Sequence, residues 1–209
     1  MYLIGLTGGI AAGKSTVAEH WRKLGAHEVD ADVLAREAVA PGSAGHAAVV
    51  AEFGTEILDS DGSLDRAKLA AIAFASEASR KRLEGIVHPI VQASARAALA
   101  ALEREFGKTA IVVYNIPLLV ETDSQLPFDT VVTVEAPEDK QIERMIKNRG
   151  MTKDAALARI RSQATPVQRA ARADHILSSN QDLALLLRDA ESLYRDFELA
   201  ATAKQEGTE

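Results

Sequence analysis

Two rhythms of apolar and polar positions alternate along the chain. Short apolar, β-branched runs stop abruptly at polar or glycine-rich stretches, and each is followed by a segment whose apolar residues recur three or four positions apart. Tyr2 to Thr7 (YLIGLT) predict a buried strand, and Ser15 to Leu24 a helix with Val17, Trp21 and Leu24 on one face, stopped by Gly25. Ala26 to Val29 predict a second strand that runs into Asp30-Ala31-Asp32, and Val33 to Val39 a helix closed by Pro41-Gly42. Ala110 to Tyr114, Asp129 to Glu135 and His175 to Leu177 give three further strands. Pro137 opens a helix to about Lys147, and Asn180 to Leu199 form a closing helix with Leu183, Leu186, Leu187, Leu193 and Phe197 inward. Strands alternating with helices in this way predict an α/β fold, a five-stranded parallel sheet flanked by helices. Residues 202–209 are expected to be a frayed polar tail.

Two stretches break the alternation. Residues 43–105 are rich in Ala, Glu, Arg and Leu at helical spacing and predict a helical insert. Asp59 to Gly62 form a turn within it, and Pro89 is expected to kink a long helix running from Ser79 to about Glu103. Residues 144–173 are dense in arginine, lie on two short helices separated by Thr165-Pro166, and have the size of a mobile lid. The core is then 1–42, 106–143 and 174–201.

The chemistry concentrates where the first strand meets the first helix. Gly8-Gly9-Ile10-Ala11-Ala12-Gly13-Lys14-Ser15-Thr16 is G-x-x-x-x-G-K-[ST] between a strand and a helix, the context in which backbone N–H groups wrap the phosphates of a nucleotide. This defines a P-loop NTPase fold: Lys14 is expected at the β- and γ-phosphates, and the Ser15 hydroxyl on Mg²⁺. Asp30 and Asp32 fall at the carboxyl end of the second strand, where ligands of parallel sheets sit; one is expected to cap the following helix and the other to do chemistry. The third strand ends on Asn115, where a phosphate-loop protein commonly places a metal-binding aspartate, so direct carboxylate ligation from there is not expected. Of the lid arginines, Arg144 and Arg149 are the candidates to neutralise a transferring phosphoryl group.

Composition narrows the class. The 209 residues are 47% hydrophobic and 26% charged, enough for one full core. There is no cysteine, which excludes disulfides, thiolate metal sites and a thiol nucleophile. A net charge of −6 argues against general nucleic-acid binding. No signal peptide and no apolar run of membrane-spanning length are read from the pattern, so a cytoplasmic protein without a membrane partner is expected.

Several motifs together resemble one family. LTGGIAAGKST, DAD followed by Leu34-Ala35-Arg36, DGSLDR at 61–66, LEGIVHP at 83–89, NIPLLVE at 115–121 and RMIKNRGMT at 144–152 are similar to dephospho-coenzyme A kinase over about residues 1–180. The resemblance implies a nucleotide-binding core, a helical domain for the coenzyme A moiety and a lid. It implies transfer of the ATP γ-phosphoryl to the ribose 3′-hydroxyl of dephospho-coenzyme A, the last step of coenzyme A biosynthesis, by a monomer or small homo-oligomer. It also implies Asp32 as the catalytic acid facing the phosphates, and Arg36, His88, Pro117, Leu118 and Leu119 on the acceptor side. Here Asn148 stands four residues after Arg144, where the family more often has its second arginine, and Arg149 follows. Other readings are a nucleoside or nucleotide kinase of the same loop class and a guanine-nucleotide switch; the second would need Asn-Lys-x-Asp, which the chain lacks.

Overall fold

A computed structural model describes residues 1–207 with the exception of 74, 123 and 125. Strands β1 (Tyr2–Gly8), β2 (His27–Asp30), β3 (Ile111–Asn115), β4 (Thr130–Glu135) and β5 (His175–Ser178) form one sheet in the order β2-β3-β1-β4-β5. The five predicted strands are all present. β1 is parallel to β3 on one side and β4 on the other, with Leu6 opposite Asn115 and Gly8 opposite Val134; β5 is parallel to β4, with Ser178 opposite Glu135. Chain order thus reverses across β1, and the crevice that such a switch opens lies at the carboxyl ends of β1, β3 and β4. Gly8 is required there because a Cβ would run into the Val134 carbonyl oxygen.

The helices are α1 (Lys14–Lys23), α2 (Ala31–Ala38), α3 (Ala44–Phe53), α4 (Arg66–Ala73), α5 (Glu77–Phe106), α6 (Glu138–Arg149), α7 (Lys153–Arg161), α8 (Pro166–Arg172) and α9 (Leu183–Glu206). α1 and α9 pack on one another over the sheet. Trp21 is fully buried among Ile4, Val17, Val132, Tyr194 and Phe197, and its indole N–H donates to the Ala190 carbonyl at 2.8 Å. Apolar burial on this scale stabilises by about 25 cal/mol per Å²; the hydrogen bond removes the penalty of hiding the indole nitrogen.

The chain divides into two compact units, Met1–Val29 with Ala101–Glu209, and Asp30–Ala100. The second has its own small core of Val49, Phe53, Ile57, Leu69 and Ala73, with Leu83, Ile86 and Val87 of α5 packed against it. Its helices begin on side-chain caps: Asp30 for α2 and Ser43 for α3.

α5 is one helix of 30 residues with Pro89 inside it. Two expectations are corrected. By length and composition α5 is apolar enough to cross a bilayer, because an alanine-rich run follows Ile90. The expected tail is helix as far as Glu206: α9 continues because Ala201 is buried and Lys204 donates to Asp129 at 2.6 Å and to the Met1 carbonyl at 3.2 Å. Residues 208–209 of that tail lie outside the described residues.

Candidate active site

The phosphate loop connects β1 to α1 and is braced on both sides. Gly13 sits at φ +104°, a left-handed conformation that lets the chain turn into α1 without a Cβ penalty. Ala11 is also left-handed, at φ +56°, which is uncommon for a residue with a side chain. Its carbonyl accepts from Arg144 Nη1 at 3.0 Å. The same guanidinium donates to Ser179 Oγ and to the Ser179 carbonyl, each at 2.9 Å, and the Ser179 hydroxyl in turn donates to the Ala12 carbonyl. Ser179 is 3% exposed and follows directly on β5. A left-handed turn with its carbonyls already taken is thereby fixed in place.

Next to it lies a buried ion pair. Arg169 of α8 is 4% exposed and forks onto Glu135, the last residue of β4, with Nε and Nη2 each 2.6 Å from a carboxylate oxygen. Glu135 also accepts from Thr133 Oγ1 at 2.6 Å, and Arg169 Nη1 donates to the Ala164 carbonyl. A Cβ on Gly9 would meet Gln141 and would lie 3.0 Å from Arg169 Nη2, so these two buried side chains form the floor of the loop. The segment between α7 and α8 reaches the same loop: Gln163 Oε1 accepts from the Ile10 N–H at 2.8 Å, and the Ala164 N–H donates to Glu121 at 2.7 Å.

On the opposite side Lys14 Nζ donates to Asn115 Oδ1 at the end of β3. Asn115 Nδ2 donates to Glu28 Oε1 at 2.7 Å, and Arg22 Nε lies 2.9 Å from Glu28 Oε2. The Thr7 hydroxyl donates to the Pro117 carbonyl at 3.2 Å. Leu118 is 42% exposed whereas Leu119 is buried, so within the PLL stretch Leu118 is the side chain open to a ligand.

A pocket of about 450 Å³ opens beside the loop, lined by Ala11, Gly13, Ser15, Thr16, Arg144, Asn148, Arg149, Ser179 and Leu186 among others. Both candidate lid arginines therefore face one cavity. Arg144, expected at the transferring phosphoryl group, lines this pocket while its guanidinium donates to the Ala11 carbonyl and to Ser179. The Ser15 hydroxyl stands exposed in the first turn of α1. Among the described residues no group of three or more His, Asp or Glu side chains could hold a metal ion.

In the second unit, Asp30 accepts from the N–H groups of Asp32 and Val33 at 2.8 and 3.2 Å and so caps α2. Asp32 is the exposed acid of the pair. Arg36 is exposed four residues further along the same helix, on the same face as Asp32. His88 is half-buried in α5.

Sequence reasoning passes over Glu135, Arg169, Ser179, Gln141 and Gln163. Glu135 and Ser179 carry a signal, since each falls at the carboxyl end of a strand. Arg169 stands within the arginine-dense stretch without a mark of its own, but is buried. For Gln141 and Gln163 no signal exists, because a glutamine on a helix or just beyond one is ordinary.

A parallel sheet with a phosphate loop at its switch point, backed by a Lys–Asn–Glu series and bordered by arginines, defines a P-loop kinase. The sequence profile described as dephospho-CoA kinase matches residues 2–184. The chain belongs to the dephospho-CoA kinase family. A dephospho-CoA kinase of Frankia casuarinae is 44% identical over 98% of this chain and 87% of its own length. The crystal structure of a Thermus thermophilus protein shares 30% identity over 93% of this chain and 97% of that one, with a TM-score of 0.77. A dephospho-CoA kinase from Campylobacter jejuni, 23% identical over 93% of this chain and 96% of its own, superposes with a TM-score of 0.62 and shares the fold.

Proposed function

We infer that the chain transfers the γ-phosphoryl group of ATP to the ribose 3′-hydroxyl of dephospho-coenzyme A, giving coenzyme A and ADP, the last step of coenzyme A biosynthesis. The observation that carries this reading is the braced phosphate loop with Lys14 at its centre, in a chain of this family over nearly its whole length.

Phosphoryl transfer asks little covalent work of a protein; it needs the acceptor in line and positive charge on the moving oxygens. Lys14 supplies charge to the β- and γ-phosphates. The Ser15 hydroxyl would hold Mg²⁺, which would supply further positive charge to the phosphates. The backbone of Gly8 to Thr16 cradles the nucleotide, and Arg144 and Arg149 border it in the adjoining pocket. Asp32 accepts the proton of the acceptor hydroxyl: its neighbour Asp30 does the capping, which leaves the Asp32 carboxylate exposed and available. Arg36, His88, Pro117 and Leu118 contact the acceptor. The enzyme is cytoplasmic and acts as a monomer or small homo-oligomer, without nucleic acid or membrane as partner.

A coupled assay with ATP and dephospho-coenzyme A tests the activity, and failure to turn over this acceptor beside a good nucleotide acceptor would overturn it. Asp32→Asn keeps the shape but removes the basicity, so kcat should fall by roughly 10²- to 10⁴-fold while Mg·ATP binding persists. Partial rescue by excess Mg²⁺ would instead make Asp32 a metal contact.

A further inference from the structure

The site departs from the common phosphate-loop layout at the end of β3, where an amide stands in place of a carboxylate. We propose that Glu28, on the neighbouring strand β2, is a positioning residue for the reaction and sets the loop lysine through the Asn115 amide. The proposal rests on the reading of Lys14 as the phosphate-binding cation.

Asn115 is 5% exposed and stands between opposite charges: its Oδ1 accepts from the Lys14 ammonium and its Nδ2 donates to Glu28 Oε1 at 2.7 Å. Only one orientation of a primary amide serves both neighbours. Turned over, it would press its NH₂ on an ammonium that can only donate, and its carbonyl on a carboxylate that can only accept. Glu28 thus decides which end of Asn115 faces the lysine.

Glu28 is itself fixed, because its second oxygen takes Arg22 Nε at 2.9 Å, and Arg22 lies two turns along the helix that Lys14 begins. The series Lys14, Asn115, Glu28, Arg22 leaves α1, crosses two strands and returns to α1. It aims the ammonium while placing formal negative charge one amide away from it. The lysine is therefore oriented by an amide that Glu28 holds in place.

The test exchanges the two groups with little change of shape. Binding of Mg²⁺ with a non-hydrolysable ATP analogue is measured by calorimetry, beside kcat and KM for ATP, in wild type, Glu28→Ala, Asn115→Asp and the double variant Asn115→Asp with Glu28→Gln. Glu28→Ala should lower kcat/KM for ATP about tenfold, the usual scale for one hydrogen bond to a charged group. Asn115→Asp alone, which sets two carboxylates side by side, should lose a similar factor. The double variant should return to within about threefold of wild type, because the amide introduced on β2 can donate to the carboxylate introduced on β3 while its carbonyl accepts from Arg22. A purely structural role predicts the opposite, a double variant worse than either single.

Wild-type values in Glu28→Ala, or a double variant no better than Asn115→Asp, would overturn the proposal. Should Glu28→Ala not fold, the comparison of Asn115→Asp with the double variant decides alone. Analogue binding that is unchanged in Lys14→Ala would instead defeat the underlying reading of the lysine, a result separable from the others.

Discussion

The two flanks of the phosphate loop are built from different chemistry. On the β3 side the loop is met by a cation on a neutral amide, Lys14 on Asn115, with charge behind it at Glu28. On the β4 and β5 side two guanidiniums, Arg144 and Arg169, are taken up by carbonyls, a hydroxyl and a carboxylate of the protein itself. The Lys14–Asn115 contact joins a cation to a neutral group. Arg169, 4% exposed and forked onto Glu135, cannot leave without stranding a buried charge. One flank is suited to answer the ligand and the other to hold its shape whether or not a ligand is bound.

Substitutions on the two sides should therefore separate turnover from stability. The largest expected effect is on the responsive side: Lys14→Ala should lower kcat/KM by about a thousandfold, roughly 4 kcal/mol of transition-state stabilisation. Its melting temperature should stay within about 4 °C of wild type. A melting temperature that collapsed with the activity would erase the distinction. On the scaffold side, Glu135→Ala leaves Arg169 buried without its counter-charge and should cost about 3 kcal/mol of folding stability, read by urea unfolding. Unchanged stability there would mean that Arg169 finds another partner. The smallest effect sharpens the comparison: Ser179→Ala removes the hydroxyl that links Arg144 to the Ala12 carbonyl and should cost about 1 kcal/mol. Activity should follow that loss through the shape of the loop, with KM for ATP rising more than kcat falls.

The responsive side is legible in the chain, and the scaffold side mostly is not. Gly8, Gly13, Lys14 and Ser15 announce themselves because a phosphate can be wrapped by backbone only where the residue types permit it, and their spacing along one loop is fixed. The strands are legible for a similar reason, since Tyr2–Gly8 and Thr130–Glu135 are buried on both faces and read as continuous apolar runs. Arg169 and Glu135 lie 34 positions apart and meet only through the register of β4 and the placement of α8. Nothing local distinguishes Arg169 from its exposed neighbour Arg172, because burial is a property of the assembled fold. Pro89 sits inside α5 without ending it, because the helix carries packing residues before it and a long alanine-rich run after it, and those outweigh one lost hydrogen bond. The last turns of α9 read as frayed from their polarity alone, while their hold comes from Lys204 reaching Asp129 and Met1, far away in the chain.

The left-handed turn at Ala11 bears on the thermodynamics of nucleotide capture. A glycine-rich loop left to itself would sample many backbone conformations, and ordering it around phosphates would cost about 1–2 kcal/mol per residue fixed. Here Arg144 and Ser179 occupy the carbonyls of Ala11 and Ala12, contacts within the protein itself that favour one loop conformation. Association should then be limited by diffusion and by release of Lys14 from Asn115, not by a search through loop conformations. The entropy of binding would reflect the nucleotide and its water far more than the chain.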